Sequence, residues 1–380
     1  MEFIDLKAQH RAYEGEFDAA IARVVDSAAF IGGEEVSAFE TDLASYVGRR
    51  FCAGCGNGTD ALQLAYMALG VGEGDAVFCP AMTFVASVEP AVMLGAEPVF
   101  CDIDPTSYNI DPASLEEEIL RVEREGRLRP AAVVAVDFLG NPADYAAIGR
   151  ICDEHGLALI EDLAQGMGGS AGGRRLGSFG DIACTSFFPS KPLGCYGDGG
   201  AVFTDSERID GLVRSIRVHG KGVTKYDNVR VGVNSRLDAI QAAVLSVKLA
   251  HLDDEVSARQ RVAERYRRLL AGSGVTLPAV EEGNVSPYAQ FILLAQDSAQ
   301  RDAVISAMAS SAVPSLVYYP KPLHRMRAFE RFGCADWSFP VAESYAERNF
   351  GLPFSAFLTE PDQDSVVAAV LSGLDSWEKR

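Results

Sequence analysis

No apolar run in this chain approaches the roughly 18 residues that a membrane span requires, and its first residues, Met1-Glu2-Phe3-Ile4-Asp5, carry neither the basic nor the apolar stretch of a secretion signal. A cytoplasmic protein is therefore expected. Positive charge is scarce too: 34 Lys and Arg stand against 53 Asp and Glu, a formal net charge of −19. With no basic patch to offset that field, polyphosphates and anionic bilayers are repelled. Neither nucleic acid nor membrane is expected as a partner, and an anionic ligand must be met by local cations. The eight cysteines, at 52, 55, 79, 101, 152, 184, 195 and 334, are scattered through apolar stretches, which suits buried thiols rather than a disulfide scaffold. Only Cys52 and Cys55 form a CxxC, no second pair stands at zinc spacing, and no metal site is expected. Repeats and low-complexity tracts are missing as well.

What is present is globular: 380 residues, 48% apolar and 23% charged, with room for one large or two moderate domains. Short apolar runs, at 51–55, 76–79, 98–103, 131–137, 157–163, 182–188 and 201–204, alternate with helical stretches at 61–69, 84–94, 113–122 and 143–155. That alternation predicts a mostly parallel sheet covered by helices on both faces, with ligands at the carboxyl ends of the strands. The last two runs are too close for a helical crossover, so the sheet is expected to be mixed. A periodic segment over 235–270 predicts a long helix, bent near Leu252-Asp253-Asp254. Beyond Gly272, strands at 288–294 and 315–319 and helices at 301–309 and 363–371 predict a smaller α+β domain. The division expected is a large α/β domain over 1–250, with an N-terminal arm, and a small one over 251–380.

Three segments carry chemistry. Gly54-Cys55-Gly56-Asn57-Gly58-Thr59-Asp60-Ala61 follows a strand and opens a helix, where glycines permit close approach and the free N–H groups suit one phosphate. It matches neither GxGxxG nor a Walker A loop, and a plain turn with Thr59 or Asp60 as helix cap is the alternative. Glu161 and Asp162 end an apolar strand, where a buried carboxylate needs a cation such as a protonated ring nitrogen, or else serves an ion pair or cap. Lys191 follows another strand in the turn Phe188-Pro189-Ser190-Lys191-Pro192-Leu193-Gly194, where desolvation would lower its pKa toward that of a nucleophile. A surface lysine on a turn is the competing reading.

In this order the segments resemble the pyridoxal-phosphate (PLP) enzymes of aspartate-aminotransferase fold type I, and within them the DegT/DnrJ/EryC1/StrS sugar aminotransferases. The resemblance runs from Phe3-Ile4-Asp5-Leu6 through Ile160-Glu161-Asp162 to Gly232-Val233-Asn234-Ser235-Arg236-Leu237-Asp238 and Leu352-Pro353. It implies that Lys191 bonds covalently to PLP, that Asp162 pairs with the pyridinium nitrogen and that Gln165, where many relatives have His, lies near the phenolic oxygen. Phe84 would stack on the ring, although core packing is its ordinary role. Gly58, Thr59 and Ser186 would hold the phosphate. Asn234 would reach a neighbouring subunit's phosphate, which implies a homodimer with shared active sites.

The stretch from Ser186 to Gly200 looks most like the subgroup that aminates the 3-keto group of UDP-2-acetamido-2-deoxy-glucuronate for bacterial surface polysaccharide, with glutamate as the amino donor. In the family, Arg236, Tyr319 and His324 match positions near the nucleotide sugar. Tyr318-Tyr319-Pro320 departs from the usual His-Tyr-Pro, and Leu352-Pro353-Phe354-Ser355 from Leu-Pro-Met-His. Arg230, Arg236, Lys321 and Arg325 are the local cations expected at the mouth. Residues 217–226, rich in Gly and cations, are expected as a mobile loop, closing over the diphosphate or simply turning in solvent. The alternatives are a dTDP- or UDP-linked 3-keto or 4-keto deoxyhexose substrate, a PLP-dependent sugar dehydratase, or a non-catalytic regulatory homologue. The dehydratases replace the lysine with His, and here Lys191 is present.

Overall fold

The computed structural model describes every residue except Lys225, Lys379 and Arg380. Three helices, α1 (Leu6–Ala12), α2 (Glu14–Ser27) and α3 (Glu34–Val47), precede the first strand, β1 (Phe51–Cys55). Strands and helices then alternate: α4 (Gly58–Leu69), β2 (Asp75–Pro80), α5 (Glu89–Met93), β3 (Glu97–Cys101), α6 (Pro112–Glu125), β4 (Arg129–Val136), α7 (Tyr145–His155) and β5 (Ala158–Asp162). A two-residue hairpin, β6 (Ser170–Ala171) and β7 (Arg174–Arg175), leads to β8 (Ile182–Ser186), β9 (Gly200–Thr204) and α8 (Glu207–Ile216). Caps set these boundaries. Asp111 and Asp144 accept N–H bonds at the starts of α6 and α7, and glycines in left-handed conformation, Gly126 and Gly156, end both helices.

The main sheet has seven strands in the order β1-β9-β8-β5-β4-β2-β3. Its strands β8, β5, β4, β2 and β3 run parallel, while β9 is antiparallel to both β1 and β8, the mixed sheet expected from the short connection. One face packs Val133, Ala135 and Leu159 against α3, α6, α7 and the start of the long helix α9 (Ala239–Leu269). The other packs Val134, Ile160 and Ile182 against α4 and α8. Cys52 and Cys55, three apart on β1, fall on opposite faces, so their CxxC spacing joins no site. A third core forms around α10 (Ser298–Ser310), the hairpin partners β10 (Phe291–Leu294) and β11 (Asn349–Leu352), and α12 (Glu360–Glu378). Between α10 and β11 lies α11 (Pro340–Arg348), which packs on the α4 face of the sheet.

Three expectations need correction. The helix expected over 84–94 is a 3-10 turn, Val85–Ser87, followed by α5, because Pro90 is tolerated only in a helix's first turn. The strand expected over 315–319 is an irregular segment held to β11 by the Gly351 N–H bond to Leu316 O, 2.7 Å, and by Asn349 Oδ1 accepting from the Tyr318 N–H. Helix α9 runs unbroken through Leu252-Asp253-Asp254. There Asp253 accepts from Tyr46 and Arg175, at 2.7 and 2.8 Å, instead of marking a bend. The division expected after residue 250 falls inside α9, whose first half joins the sheet core and whose second half joins the third core.

Candidate active site

At the carboxyl ends of β5 and β8 a cavity of about 590 Å³ opens, lined among others by Gly58, Thr59, Phe84, Asp162, Gln165, Ser186, Lys191 and Tyr319. Eight of the residues singled out from sequence therefore meet in one place. At one end α4 points its N-terminus into the cavity. Asn57, rather than Thr59 or Asp60, caps it, its Oδ1 accepting from the Asp60 N–H at 2.8 Å, which leaves the Gly58 and Thr59 amides as the orphan donors of that terminus. A Cβ on Gly58 would stand 2.6 Å from Ser186 Cβ, so only glycine lets strand and helix close to this distance. Ser235 braces the loop, accepting from the Gly56 N–H at 2.8 Å and donating to Asp60 at 2.6 Å.

Asp162 is buried, and Ser87 Oγ donates to its Oδ2 at 2.7 Å. Behind it, Thr83 and Ser87 hydroxyls lie 3.1 Å apart, and Tyr66 donates to Ser87 O at 2.6 Å. Burial raises the Asp162 pKa above the usual carboxylate range, opposed by the bonds from Ser87 and the Ala164 N–H and by the charge of Lys191. Lys191 is half-buried in a turn whose N–H bonds Phe188 O at 2.8 Å. A Cβ on Gly194 would fall 2.5 Å from Pro189 O, which explains the glycine that closes this turn. Burial lowers the Lys191 pKa, and Asp162 opposes that shift. Gln165 spans the far wall, its Oε1 accepting from the Leu139 N–H at 2.7 Å, while its amide meets the Tyr319 hydroxyl. Phe84 keeps 54% of its surface exposed, with its ring 5.8 Å from that of Tyr319.

The remaining sequence candidates lie elsewhere. Asn234 and Arg236 are exposed on the segment that Ser235 ties to the α4 loop, and neither lines the cavity. His324 is fully buried in a 3-10 turn, its Nε2 2.9 Å from Glu343 Oε1 and its ring edge-on to Phe339. It is not among the residues that line the cavity. Among the expected cations, Arg325 is held by Glu343 at 2.9 Å and Arg230 by Ser215 Oγ, while Lys321 is exposed. In the 217–226 segment Arg217 is bound to Glu40 at 2.7 Å, and Lys225 lies outside the described residues. Sequence reasoning passed over Ser87 and Tyr66. Their only signal was a hydroxyl in an otherwise apolar run.

Residues 12–371 match the profile of the DegT/DnrJ/EryC1/StrS aminotransferase family. The chain belongs to that family. It is 42% identical, over 97% of its length and 99% of the relative's, to the UDP-2-acetamido-2-deoxy-3-oxo-D-glucuronate aminotransferase of Pseudomonas aeruginosa. Among solved structures, a DegT DnrJ EryC1 StrS aminotransferase from Brucella abortus superposes with a TM-score of 0.93 at 44% identity, covering 97% of this chain and 98% of that one. NtdA from Bacillus subtilis, solved with bound cofactor PMP, gives 0.89 at 25% identity, covering 99% and 85%.

As a sugar aminotransferase of this family, the protein takes pyridoxal phosphate as cofactor. The cavity fits that group. It offers a donor-lined cradle that a Cβ at Gly58 would fill, a buried carboxylate that forms no ion pair among the described residues, and a lysine amine with a depressed pKa. Among the described residues no cluster of His, Cys, Asp or Glu is arranged to hold a metal, and no helix is long and apolar enough to cross a membrane.

Proposed function

We propose that this aminotransferase moves an amino group from glutamate to the 3-keto group of UDP-2-acetamido-2-deoxy-glucuronate, in the cytoplasm, on a route to bacterial surface polysaccharide. The observation that carries the chemistry is Lys191, half-buried beside the buried carboxylate of Asp162 in one cavity. The relative at 42% identity supports the sugar. Eight free, buried cysteines suit a reducing compartment.

Pyridoxal phosphate, when bound, supplies an electron sink for the carbon that exchanges its amino group. Lys191 Nζ would anchor it and, as a free amine, would hold and move the proton at the reacting carbon, a task that its depressed pKa suits. Asp162, held by Ser87, would keep the ring nitrogen protonated. Gly58, Thr59 and Ser186 would hold the phosphate, Phe84 would pack on the ring, Gln165 would meet its oxygen, and Tyr319 would face the sugar. Residues 1–250 hold the cofactor, and 251–380 wall the sugar side.

The working form in this proposal is a homodimer in which Asn234 and Arg236 complete the partner's pocket. Both are exposed on the same segment as Val231, which is 86% exposed, and Val223 of the preceding loop is 96% exposed, apolar surface that a second copy would cover. In solution, glutamate is expected to bleach the visible band of the purified protein, and UDP-linked 3-keto uronate to restore it. Lys191→Ala should remove turnover by on the order of 10³-fold or more. Turnover of only dTDP-linked 3-keto or 4-keto deoxyhexoses would overturn the sugar assignment, and a borohydride label on another lysine would overturn the chemistry.

A further inference from the structure

β1 is an outer strand of the main sheet, so one row of its N–H and C=O groups faces away from β9, and no strand among the described residues pairs with that row. Buried edge groups without partners are costly, and here side chains supply the partners. Glu40 of α3, 6% exposed, accepts from the Gly54 N–H at 2.8 Å. Arg217 donates to the Gly54 carbonyl, and Arg214 to that of Cys52 at 2.7 Å. Both cations also bind Glu40, Arg217 at 2.7 Å and Arg214 at 2.9 Å, so one carboxylate gathers the strand end and two arginines. Burial alone would raise the Glu40 pKa, but the two guanidiniums hold it below the usual carboxylate range.

Gly54 is where this cluster meets the cavity's phosphate end. Only Cys55, Gly56 and Asn57 separate it from Gly58, the first residue of α4. The short loop is braced on its other side as well. A Cβ on Gly54 would lie 2.9 Å from Leu237 Cβ, and Ser235, whose Oγ accepts from the Gly56 N–H, gives its own N–H to Arg217 O at 2.9 Å. The start of α4 therefore cannot tilt without disturbing the Glu40 cluster.

Resting on the reading that Gly58, Thr59 and Ser186 hold the phosphate, we propose that Glu40 is a positioning residue of the cofactor site, fixing through Gly54 the angle at which α4 presents its free amides. Glu40 itself is not among the residues that line the cavity, so it acts only through the backbone it holds. A helix terminus binds an anion through N–H groups that must point at it together, and the pull of the dipole fades within the first turn. A small tilt of α4 therefore costs phosphate contacts while leaving the turn of Lys191 and the strand end of Asp162 in place.

Pyridoxal, which lacks the phosphate, separates this role from a merely structural one. The full-length apoprotein is titrated with pyridoxal phosphate and with pyridoxal, the visible band reporting binding at Lys191. With Glu40→Gln the Kd of pyridoxal phosphate should rise about tenfold, while that of pyridoxal stays within about twofold. Asp75→Asn is the control. Asp75 is another buried carboxylate, holding the Gly72 N–H at 3.0 Å and Arg129 at 2.8 Å at the start of β2, and its loss should lower Tm yet weaken neither ligand. If Glu40→Gln does not fold, Arg217→Met replaces it with the same expectations, since it frees the Gly54 carbonyl but leaves Arg214 on Glu40. The inference is overturned if the variant weakens both ligands alike, weakens pyridoxal the more, or weakens neither, and equally if Asp75→Asn reproduces the selective loss. Gly58→Ala alters the cradle directly and should show that selective loss too. If it shows none, the phosphate is held elsewhere and the reading beneath this inference falls, whereas a loss with Gly58→Ala and none with Glu40→Gln sinks the inference alone.

Discussion

At the carboxyl end of β5 two carboxylates stand side by side and live in different worlds. Strand alternation sends Asp162 to the α4 face, into the cavity with Ser186 and Lys191, and Glu161 to the opposite face, under the loop that follows β7. Glu161 is satisfied by backbone, accepting from the Gly177 and Phe179 N–H groups at 2.5 and 2.8 Å. Nearby, Asp137 accepts from Tyr145 at 2.9 Å and has one oxygen unpartnered. Burial raises both pKa values, and their mutual repulsion adds to the shift of Asp137. The cavity-side acid keeps one side open to an incoming cation, whereas the core-side acid is spent on holding a loop. One residue of register separates a cofactor ligand from a structural brace.

The largest test of this contrast exchanges the roles. Asp162→Asn should cut turnover by about a hundredfold, the scale of losing one preorganised charge at a reacting centre, while Glu161→Gln leaves turnover nearly intact and costs about 1–3 kcal/mol of stability by turning an amide toward an N–H. Steady-state rates and denaturant midpoints would measure the two. On the cavity side, Gly58→Ala drives a methyl against Ser186 and should weaken cofactor binding about tenfold, read by titration of the apoprotein. Ser87→Ala removes the hydroxyl donor to Asp162, and a loss of only a few-fold in kcat is expected, with the pH profile of kcat shifted toward higher pH as Asp162 becomes easier to protonate.

The smallest effect concerns the other face. Glu161 and Asp137 have folded pKa values above their unfolded ones, so the native state holds protons that the unfolded chain releases. Stability should therefore fall as pH rises from the ordinary carboxylate range toward neutrality, and Asp137→Asn should flatten that slope by about 1 kcal/mol. Thermal melts of the apoprotein across that range would show it, and an unchanged slope would contradict the repulsion inferred between the two acids.

Most of the sheet was legible, because buried parallel strands are continuous apolar runs and their helices end on Asp, Pro and Gly signals such as those around α6. What was not legible depended on contacts between distant segments. The run at 315–319 looks like a strand, but side-chain and single backbone bonds to β11 hold it without a ladder. His324 looks like a ligand-binding loop residue until Glu343 and Phe339 enclose it. Ser87 shows locally only a hydroxyl in an apolar run, since its meaning comes from Asp162, 75 residues away.

The order and chemistry of Gly58, Asp162 and Lys191 follow from the chain alone, because strand-end position and turn composition are local properties. Which side of the sheet each acid faces, and that Asn234 and Arg236 stay outside the cavity, were decided only by folding. Those outcomes turn on register and on packing between segments far apart in sequence, where a shift of a single position moves a side chain from solvent or core into the site.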